Sequence, residues 1–360
     1  MLTFFLLPEL VFSEGADQFY KKVVSNESVY DKNFAPWVFG HHVTLTIKAF
    51  YMILLSVEEN QQLITYVTGL NLSWTDPRLR FDATKYGGET MFLMPAYSVW
   101  VPPMDFYNGV NNRDVKDDIQ RTPVEIRADG SASLCNYVTV QTVCQVDVEN
   151  FPFDEQWCNI GFASTLAHIG QMQIVTEAQQ MFIVGIPEWE LHYGLAFQSS
   201  YNQTGRNYSL ATITLHLNRN PQFYIYCLIL PTFVITATCI SAMLLPVNMG
   251  LADRVNLGIA GLLSLTFMLS VMVGELPRSP GLPLMGKWVI VEMFFCCGAM
   301  VFPMLMSSIE VRLQQLTKKD CHVFVSVASF LLIMGVNTLA TILMFTLAPK
   351  RHAPTQFSSI

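Results

Sequence analysis

Residues 144–158 read CQVDVENFPFDEQWC, so that Cys144 and Cys158 enclose thirteen residues. A disulfide bond between them would hold two neighbouring strands together and contribute about 3 kcal/mol in an oxidising compartment. The turn Phe-Pro-Phe-Asp at 151–154 carries two large apolar rings, and exposed rings of this size usually contact another surface. We expect that surface to be the apolar part of the chain that follows. Taken alone, the cysteine pair also suits an ordinary strand-joining disulfide of another secreted β domain.

Composition divides the chain into an acidic part and an apolar part. Of its 360 residues, 51% are hydrophobic and 14% are charged, which is too apolar for a single soluble domain. Up to Asn220 there are 23 acidic and 13 basic residues, a balance of −10, whereas the remainder has 5 acidic and 8 basic residues, a balance of +3. The acidic part concentrates cations. Nothing in this pattern suits a nucleic-acid partner.

The other cysteines and the glycosylation motifs agree with this division. Cys135 is left over in the acidic part, where we expect a buried free thiol, with an intermolecular disulfide as the alternative. The five remaining cysteines fall in apolar stretches and are expected to be reduced packing residues. Four glycosylation motifs all precede Pro221, which favours an extracellular domain. They begin at Asn26, Asn71, Asn202 and Asn207.

The hydrophobic patterns predict a β domain followed by a membrane domain. From Val38 to Leu217, short alternating runs separated by turn residues are typical of strands in an all-β sandwich. Four apolar segments follow, each long enough to cross a bilayer as a helix. They are Gln222–Leu245, Val255–Leu276, Leu284–Ser307 and His322–Leu347. We therefore expect a β-sandwich domain over residues 1–220 and a four-helix membrane domain over residues 221–360.

Several ordered motifs resemble one family along essentially the whole chain. They are the Cys144–Cys158 loop, Trp74–Leu79, Trp100–Pro102, Arg219–Pro221 with Phe223 and Tyr224, Leu244–Pro246, Ser264–Thr266 and Pro283–Lys287. Together they resemble the Cys-loop receptors, the eukaryotic pentameric ligand-gated ion channels, and especially the nicotinic branch. The resemblance implies an immunoglobulin-like sandwich, a four-helix bundle, a Cys144–Cys158 disulfide and four further subunits. It also implies a plasma-membrane location, with the N-terminal domain and the C-terminus outside the cell.

Many members of this family carry a long cytoplasmic insert between the third and fourth helices. Here only about a dozen residues, 310–320, connect those helices. Whether such an insert is absent from the protein or only from this sequence stays open.

The ligand site that the resemblance implies is only partly present. Tyr107, Tyr201 and Tyr208 match aromatic positions of a cage that attracts ammonium groups. Thr165 stands where the family has a tryptophan, and Gly69 stands where the facing subunit usually supplies an aromatic residue. One interpretation is a pocket widened at Gly69 and Thr165 that takes a less cationic or bulkier small molecule. The other is a relaxed site in which the three tyrosines simply pack.

The second apolar segment resembles the helix that lines the pore. Helical spacing places six residues on one stripe, namely Asp253, Asn256, Ala260, Leu263, Phe267 and Ser270. In a five-fold ring, Leu263 and Phe267 would form apolar rings that gate by dewetting, although packing against lipid or another helix is the alternative. A ring of Asp253 carboxylates would favour monovalent cations.

The resemblance also implies a coupling pathway from the ligand site to the gate. Its residues are Phe151, Pro152, Phe153, Asp154, Arg219 and Pro277. We expect carboxylates of the outer domain to pair with Arg219. The alternative to a role of Arg219 in coupling is an interfacial anchor without a gating role.

The predicted function is a subunit of a cation channel that an extracellular ligand opens. The alternatives are an accessory subunit that binds no ligand itself, and a membrane-tethered adhesion protein or ecto-enzyme. The sequence contains no HExxH motif, nucleophile elbow or CxxC metal pair, so we predict no enzyme, no cofactor and no metal site.

Overall fold

A computed structural model describes residues 14–110, 117, 120–177, 181–244, 251–276, 281–313 and 320–346. A short helix α1 (Glu14–Phe19) precedes a β-sandwich. The strands are β1 (Val43–Glu58), β2 (Leu63–Thr75), β3 (Met91–Pro95), β4 (Asp105–Phe106), β5 (Pro123–Arg127), β6 (Ser131–Val143), β7 (Glu155–Ala163), β8 (Met172–Thr176), β9 (Phe182–Val184), β10 (Trp189–Gln203) and β11 (Arg206–Arg219).

Two sheets form the sandwich. One has the order β3-β5-β6-β2-β1-β8, with β9 also paired to β1, and the other has the order β10-β11-β7-β4. Side chains at alternate positions of each strand point to opposite faces, and in β1 those of Val43, Leu45 and Ile47 are buried while the intervening threonines are not. The buried faces of both sheets contribute to one hydrophobic core. The predicted sandwich is therefore confirmed.

The disulfide links the two sheets. Cys144 follows β6 of one sheet and Cys158 lies in β7 of the other, and the two residues are bonded with their Cα atoms 5.2 Å apart. The pairing expected from the resemblance is confirmed. The bond closes the loop that carries the 151–154 turn, and this holds the turn at one end of the sandwich.

Four long helices follow the sandwich. They are α2 (Gln222–Ser241), α3 (Leu251–Glu275), α4 (Leu284–Leu313) and α5 (Asp320–Thr346). Each contains a stretch long and apolar enough to cross a membrane. Helix α2 widens into a π-turn at Ile225–Ile229, which ends two residues before Pro231. The missing N–H of Pro231 breaks the regular hydrogen-bond ladder there.

The disulfide loop contacts the helices as predicted. Phe151 is buried in a cluster with Met285 and Trp288 of α4. Its ring lies 4.7 Å from the ring of Tyr224 in α2, and the backbone N–H of Leu284 donates to the Glu149 carbonyl at 2.8 Å. These contacts join the β domain to the start of two helices.

Two cysteine expectations are wrong. Cys135 is a free thiol but is exposed, because its position in β6 places its side chain on the face that points away from the core. Cys227, Cys239, Cys296 and Cys297 are free thiols, as expected for the apolar segments. Cys239 and Cys296 are buried, Cys297 is partly buried, and Cys227 is exposed, so the expected packing role is wrong for Cys227 within this chain.

The four glycosylation motifs differ in their surroundings. Asn26, Asn202 and Asn207 are exposed, whereas Asn71 lies within β2 and its Oδ1 atom is buried. Glycosylation at all four stays a prediction.

Candidate functional site

Three tyrosines form one wall at the outer end of the β10–β11 hairpin. Tyr201 and Tyr208 lie directly opposite each other in the strand register, with their rings stacked at 5.4 Å. Tyr107, just after β4, lies 5.4 Å from Tyr201 in a tilted arrangement. All three remain partly exposed. The structure therefore brings together the three aromatic residues that the resemblance indicated.

A cavity of about 590 Å³ borders this wall. Its lining includes Tyr107, Tyr201, Thr165 and Asp105. The Thr165 hydroxyl donates to the Asp105 carboxylate at 3.4 Å, and the Tyr201 hydroxyl donates to the Ser164 carbonyl at 3.5 Å. Thr165 therefore lies near the tyrosines, as predicted. Its hydroxyl faces a carboxylate, at the position where the family has an aromatic ring.

Asp105 is a residue that sequence reasoning missed. It precedes Tyr107 by two positions on a two-residue strand, a signal too short to distinguish it from other acidic residues of this domain. Burial raises the pKa of the Tyr201 phenol, and the neighbouring Tyr107, Tyr208 and Asp105 raise it further. A carboxylate beside neutral aromatic faces is an environment that stabilises a cationic or hydrogen-bond-donating ligand.

Gly69 lies on the other sheet, on a surface with its own aromatic patch. A Cβ atom at Gly69 would stand 2.7 Å from the Phe50 ring, so the space expected to widen the pocket is occupied by Phe50. Tyr51 and Tyr137 flank Gly69 on the adjacent strands β1 and β6, with ring centroids 5.5 Å apart. Phe182 stacks on Tyr51 at 5.6 Å. We call Phe50, Tyr51, Tyr137 and Phe182 the β1–β6 aromatic patch.

The patch corrects the expectation of an open Gly69 face. Tyr137 and Phe182 are 58% and 61% exposed, so the patch offers aromatic surface to a neighbouring molecule. Gly69 does not line the cavity beside the tyrosine wall of the same chain, as far as the described residues show. The tyrosine wall and the patch are separate surfaces of one chain.

The predicted pore stripe lies on the free side of α3. All six of its residues are exposed, with Leu263 and Phe267 at 72% and 65%. Gly261 and Leu265, on the opposite side, are buried against α2 and α4. The helix therefore presents the stripe away from its own bundle. Pro277, which the resemblance placed in the coupling pathway, lies outside the described residues.

Arg219, at the end of β11, occupies the junction between the two domains. Its guanidinium donates from Nε to Asp154 at 2.8 Å and from Nη2 to Glu59 at 2.9 Å, and Nη1 donates to Glu188. The same group lies 4.1 Å above the ring of Trp189. The expected pairing of Arg219 with carboxylates of the outer domain is confirmed.

The charges at this junction depend on one another. Burial would lower the pKa of the Arg219 guanidinium, but Asp154 and then Glu59 raise it above its ordinary value. For the acid Glu59, by contrast, burial raises the pKa, and Arg219 offsets only part of that increase. The Asp154 carboxylate also accepts a hydrogen bond from Gln156 at 2.7 Å. One fully buried cation thus pairs with three carboxylates from separate parts of the β domain and also contacts Tyr224 at the start of α2.

Comparison with known proteins decides the family. The sequence model of the neurotransmitter-gated ion-channel ligand binding domain matches residues 16–221. The chain belongs to the Cys-loop receptor family. Its N-terminal domain is therefore extracellular, and the chain is a multi-pass protein of the plasma membrane.

Its relatives include nicotinic receptor subunits. The chain is 31% identical to the neuronal acetylcholine receptor subunit alpha-9 of Gallus gallus, over 70% of this chain and 52% of that protein. It is 28% identical to the beta-4 subunit of Rattus norvegicus, over 72% and 52%. It is 24% identical to the ligand-gated ion channel 4 of Caenorhabditis elegans, over 79% and 46%. The chain spans about half the length of these relatives. Two of them are named as acetylcholine receptor subunits and one as a ligand-gated ion channel, so these relatives are not enzymes.

Proposed function

We propose that this chain is a subunit of a pentameric channel that an extracellular ligand opens and that conducts monovalent cations. The exposed stripe on α3 carries this proposal. Leu263 and Phe267 are large apolar residues of a membrane-spanning helix, and the described residues of the chain leave both of them exposed. Five copies around an axis would place them in two rings that exclude water from a narrow pore.

Cation selectivity rests on charge at both ends of the pathway. Asp253 lies in the first turn of α3 and is exposed on the same stripe as Leu263. Five such carboxylates act on permeant ions at contact distance. The extracellular domain, with its balance of −10, raises the local cation concentration, but salt screens that field over about 8 Å. The Asp253 ring therefore determines the sign of selectivity.

The ligand site would lie between subunits, with the tyrosine wall of one chain facing the β1–β6 aromatic patch of the next. The wall supplies Tyr107, Tyr201 and Tyr208, with Asp105 and Thr165 in the adjoining cavity. Each aromatic face contributes about 0.5–2 kcal/mol to binding a cation. Because Thr165 replaces the large aromatic of the family, the site suits a small amine that bonds Asp105 better than a quaternary ammonium ion.

Ligand binding would reach the gate through the domain junction. The 151–154 turn packs on α4, and Arg219 bonds Asp154 on one side and lies at the start of α2 on the other. A displacement of β10 and β11 by a ligand is thereby transmitted to both helices.

An accessory subunit without a ligand site of its own is the second candidate. The occupation of the Gly69 space by Phe50 and the Thr165–Asp105 hydrogen bond favour it, because both remove room that a ligand would use. In that case the chain would conduct only beside other subunits.

Expression of this chain alone in oocytes tests the proposal. Under a NaCl gradient, we expect a ligand-evoked or resting current whose reversal potential follows sodium. A reversal potential that follows chloride would refute cation selectivity, and monomers or dimers as the stable species in particle images would refute the pentamer. If the chain expressed by itself gives no current, and co-expression of a related subunit produces one, the accessory role would be favoured.

A further inference from the structure

A buried carboxyl group lies inside the membrane domain. Glu292 is in α4, near the middle of the apolar stretch Leu284–Phe302, and its side chain is fully buried. Among the described residues of the four spans, it is the only acidic residue that is buried. An ionisable group at such a depth is costly and usually has a function.

Glu292 connects α4 to α5. The Asn337 side-chain N–H donates to Oε2 at 3.1 Å, and Thr341 Oγ1 lies 3.4 Å from Oε1. Asn337 is itself fully buried, and Trp288 of α4 donates its indole N–H to Thr341 Oγ1 at 3.3 Å. The hydroxyl of Thr236, in α2, lies beside the same carboxyl group. Three helices therefore converge on one side chain.

No cation faces this carboxyl group from the surrounding spans. Residues 222–241, 255–274 and 326–346 contain no lysine, arginine, histidine, aspartate or glutamate. Lys287 of α4 is exposed, and five helical residues place it about 140° around the helix from Glu292. The titratable neighbour on the same face is the Cys296 thiol, one turn along. A carboxylate here would have neutral hydrogen-bond donors only.

A neutral carboxylic acid fits the hydrogen-bond inventory of the cluster. Thr341 accepts from Trp288, and the nearest of the acceptors around its own hydroxyl is the Asn337 backbone carbonyl at 3.0 Å, with Glu292 Oε1 and Asn337 Oδ1 each at 3.4 Å. A hydroxyl hydrogen directed to the nearest acceptor leaves the Glu292 side of the oxygen without a donor. The second lone pair of Thr341 Oγ1 is then available for the O–H of the acid, while Oε2 accepts from Asn337. An ionised group would instead hold an uncompensated charge in a medium without water.

We propose that Glu292 is a proton-binding site within the membrane, and that its neutral carboxyl group fastens α5 to α4 and α2. The bound proton forms the O–H group of Glu292 that donates a hydrogen bond to Thr341 Oγ1. Loss of the proton would place a charge between the helices and weaken the docking of α5.

Infrared spectroscopy of the purified protein in lipid vesicles at neutral pH tests this directly. The difference between wild type and Glu292→Gln should contain the C=O stretching band of a protonated carboxylic acid. A difference that contains only carboxylate bands would overturn the proposal. Wild-type protein labelled with ¹³C-glutamate checks the assignment without any substitution, because the same band must then shift to lower frequency.

The docking role is tested on the partners of Glu292. Asn337→Leu and Thr341→Val should each move the acid band towards that of an unbonded acid. Thr338→Val is the matched control, since its hydroxyl bonds the Gly335 carbonyl of its own helix, and it should leave the band in place. An acid band that neither partner variant moves would refute the contact with α5.

A double-mutant cycle provides a second, independent measurement. Glu292→Leu and Asn337→Leu each leave the other polar group buried and unpaired, so each should lower the thermal unfolding midpoint of the protein. The double variant removes both groups and should recover most of that loss. Strictly additive losses would show that the two residues do not act together.

Discussion

Replacement of Arg219 by leucine should destabilise the junction between the β domain and the helices. The side chain of Arg219 is fully buried, and that of Asp154 is 2% exposed, so the substitution leaves a buried carboxylate with Gln156 as its remaining side-chain donor. Removing one partner of a buried ion pair costs about 3–5 kcal/mol. Glu188 is 40% exposed and adds little, because water solvates it once the arginine is gone.

The loss is measurable as a shift of the thermal unfolding midpoint. At about 2–4 °C per kcal/mol for a domain of this size, we expect the midpoint of Arg219→Leu to fall by roughly 6–20 °C. The fluorescence of Trp189 is a local probe, since its ring lies 4.1 Å below the guanidinium. Arg219→Lys keeps the charge but loses the planar fork that reaches several carboxylates, so it should lie between wild type and leucine.

Arg206→Leu is the matched control. Arg206 begins the same strand β11 but is exposed at the hairpin tip, where a substitution should change stability by less than about 0.5 kcal/mol. If Arg219→Leu and Arg206→Leu lower the midpoint equally, the buried cluster does not stabilise the junction and the reasoning is refuted.

Four further predictions concern the gate, the filter, the ligand site and pH. Leu263→Thr should raise the resting current by making the ring easier to wet; an unchanged current at normal surface expression would move the gate to Phe267. Asp253→Ala should shift the reversal potential away from that of sodium, and a value identical to wild type would mean that another residue determines charge selectivity. Tyr201→Ala should reduce binding of a small primary amine at least tenfold in calorimetry, whereas acetylcholine should bind the wild type only weakly; micromolar activation by acetylcholine would contradict this. Because burial raises the pKa of Glu59 above its ordinary 4.5, the folded protein takes up this proton at a higher pH than the unfolded chain. Lowering the pH through the range between the pKa of Glu59 in the folded protein and that in the unfolded chain should therefore stabilise wild type relative to Glu59→Gln. Parallel pH profiles of the two unfolding midpoints would contradict this contribution of Glu59 to stability.

The features that could be predicted from the sequence depend on local spacing. The Cys144–Cys158 loop, the alternating strands and the four apolar helices follow from residue patterns within short windows. The stripe from Asp253 to Ser270 follows from the helical period alone, since one face of a helix is set by that period. Arg219 belongs with these, because a lone cation at a domain boundary in an acidic domain requires carboxylates.

Only the tertiary structure decided which distant side chains meet. Phe50 takes the space beside Gly69 because β1 pairs with β2 in one particular register, and that register depends on the whole sheet. Asp105 reaches Thr165 because β4 pairs with β7 in the other sheet, with Asp105 opposite Ala163. Glu292 and Asn337 are 45 residues apart on two helices, and their contact depends on how the helices pack. Such contacts follow from the filling of space by many side chains together, and no local pattern in the sequence records that.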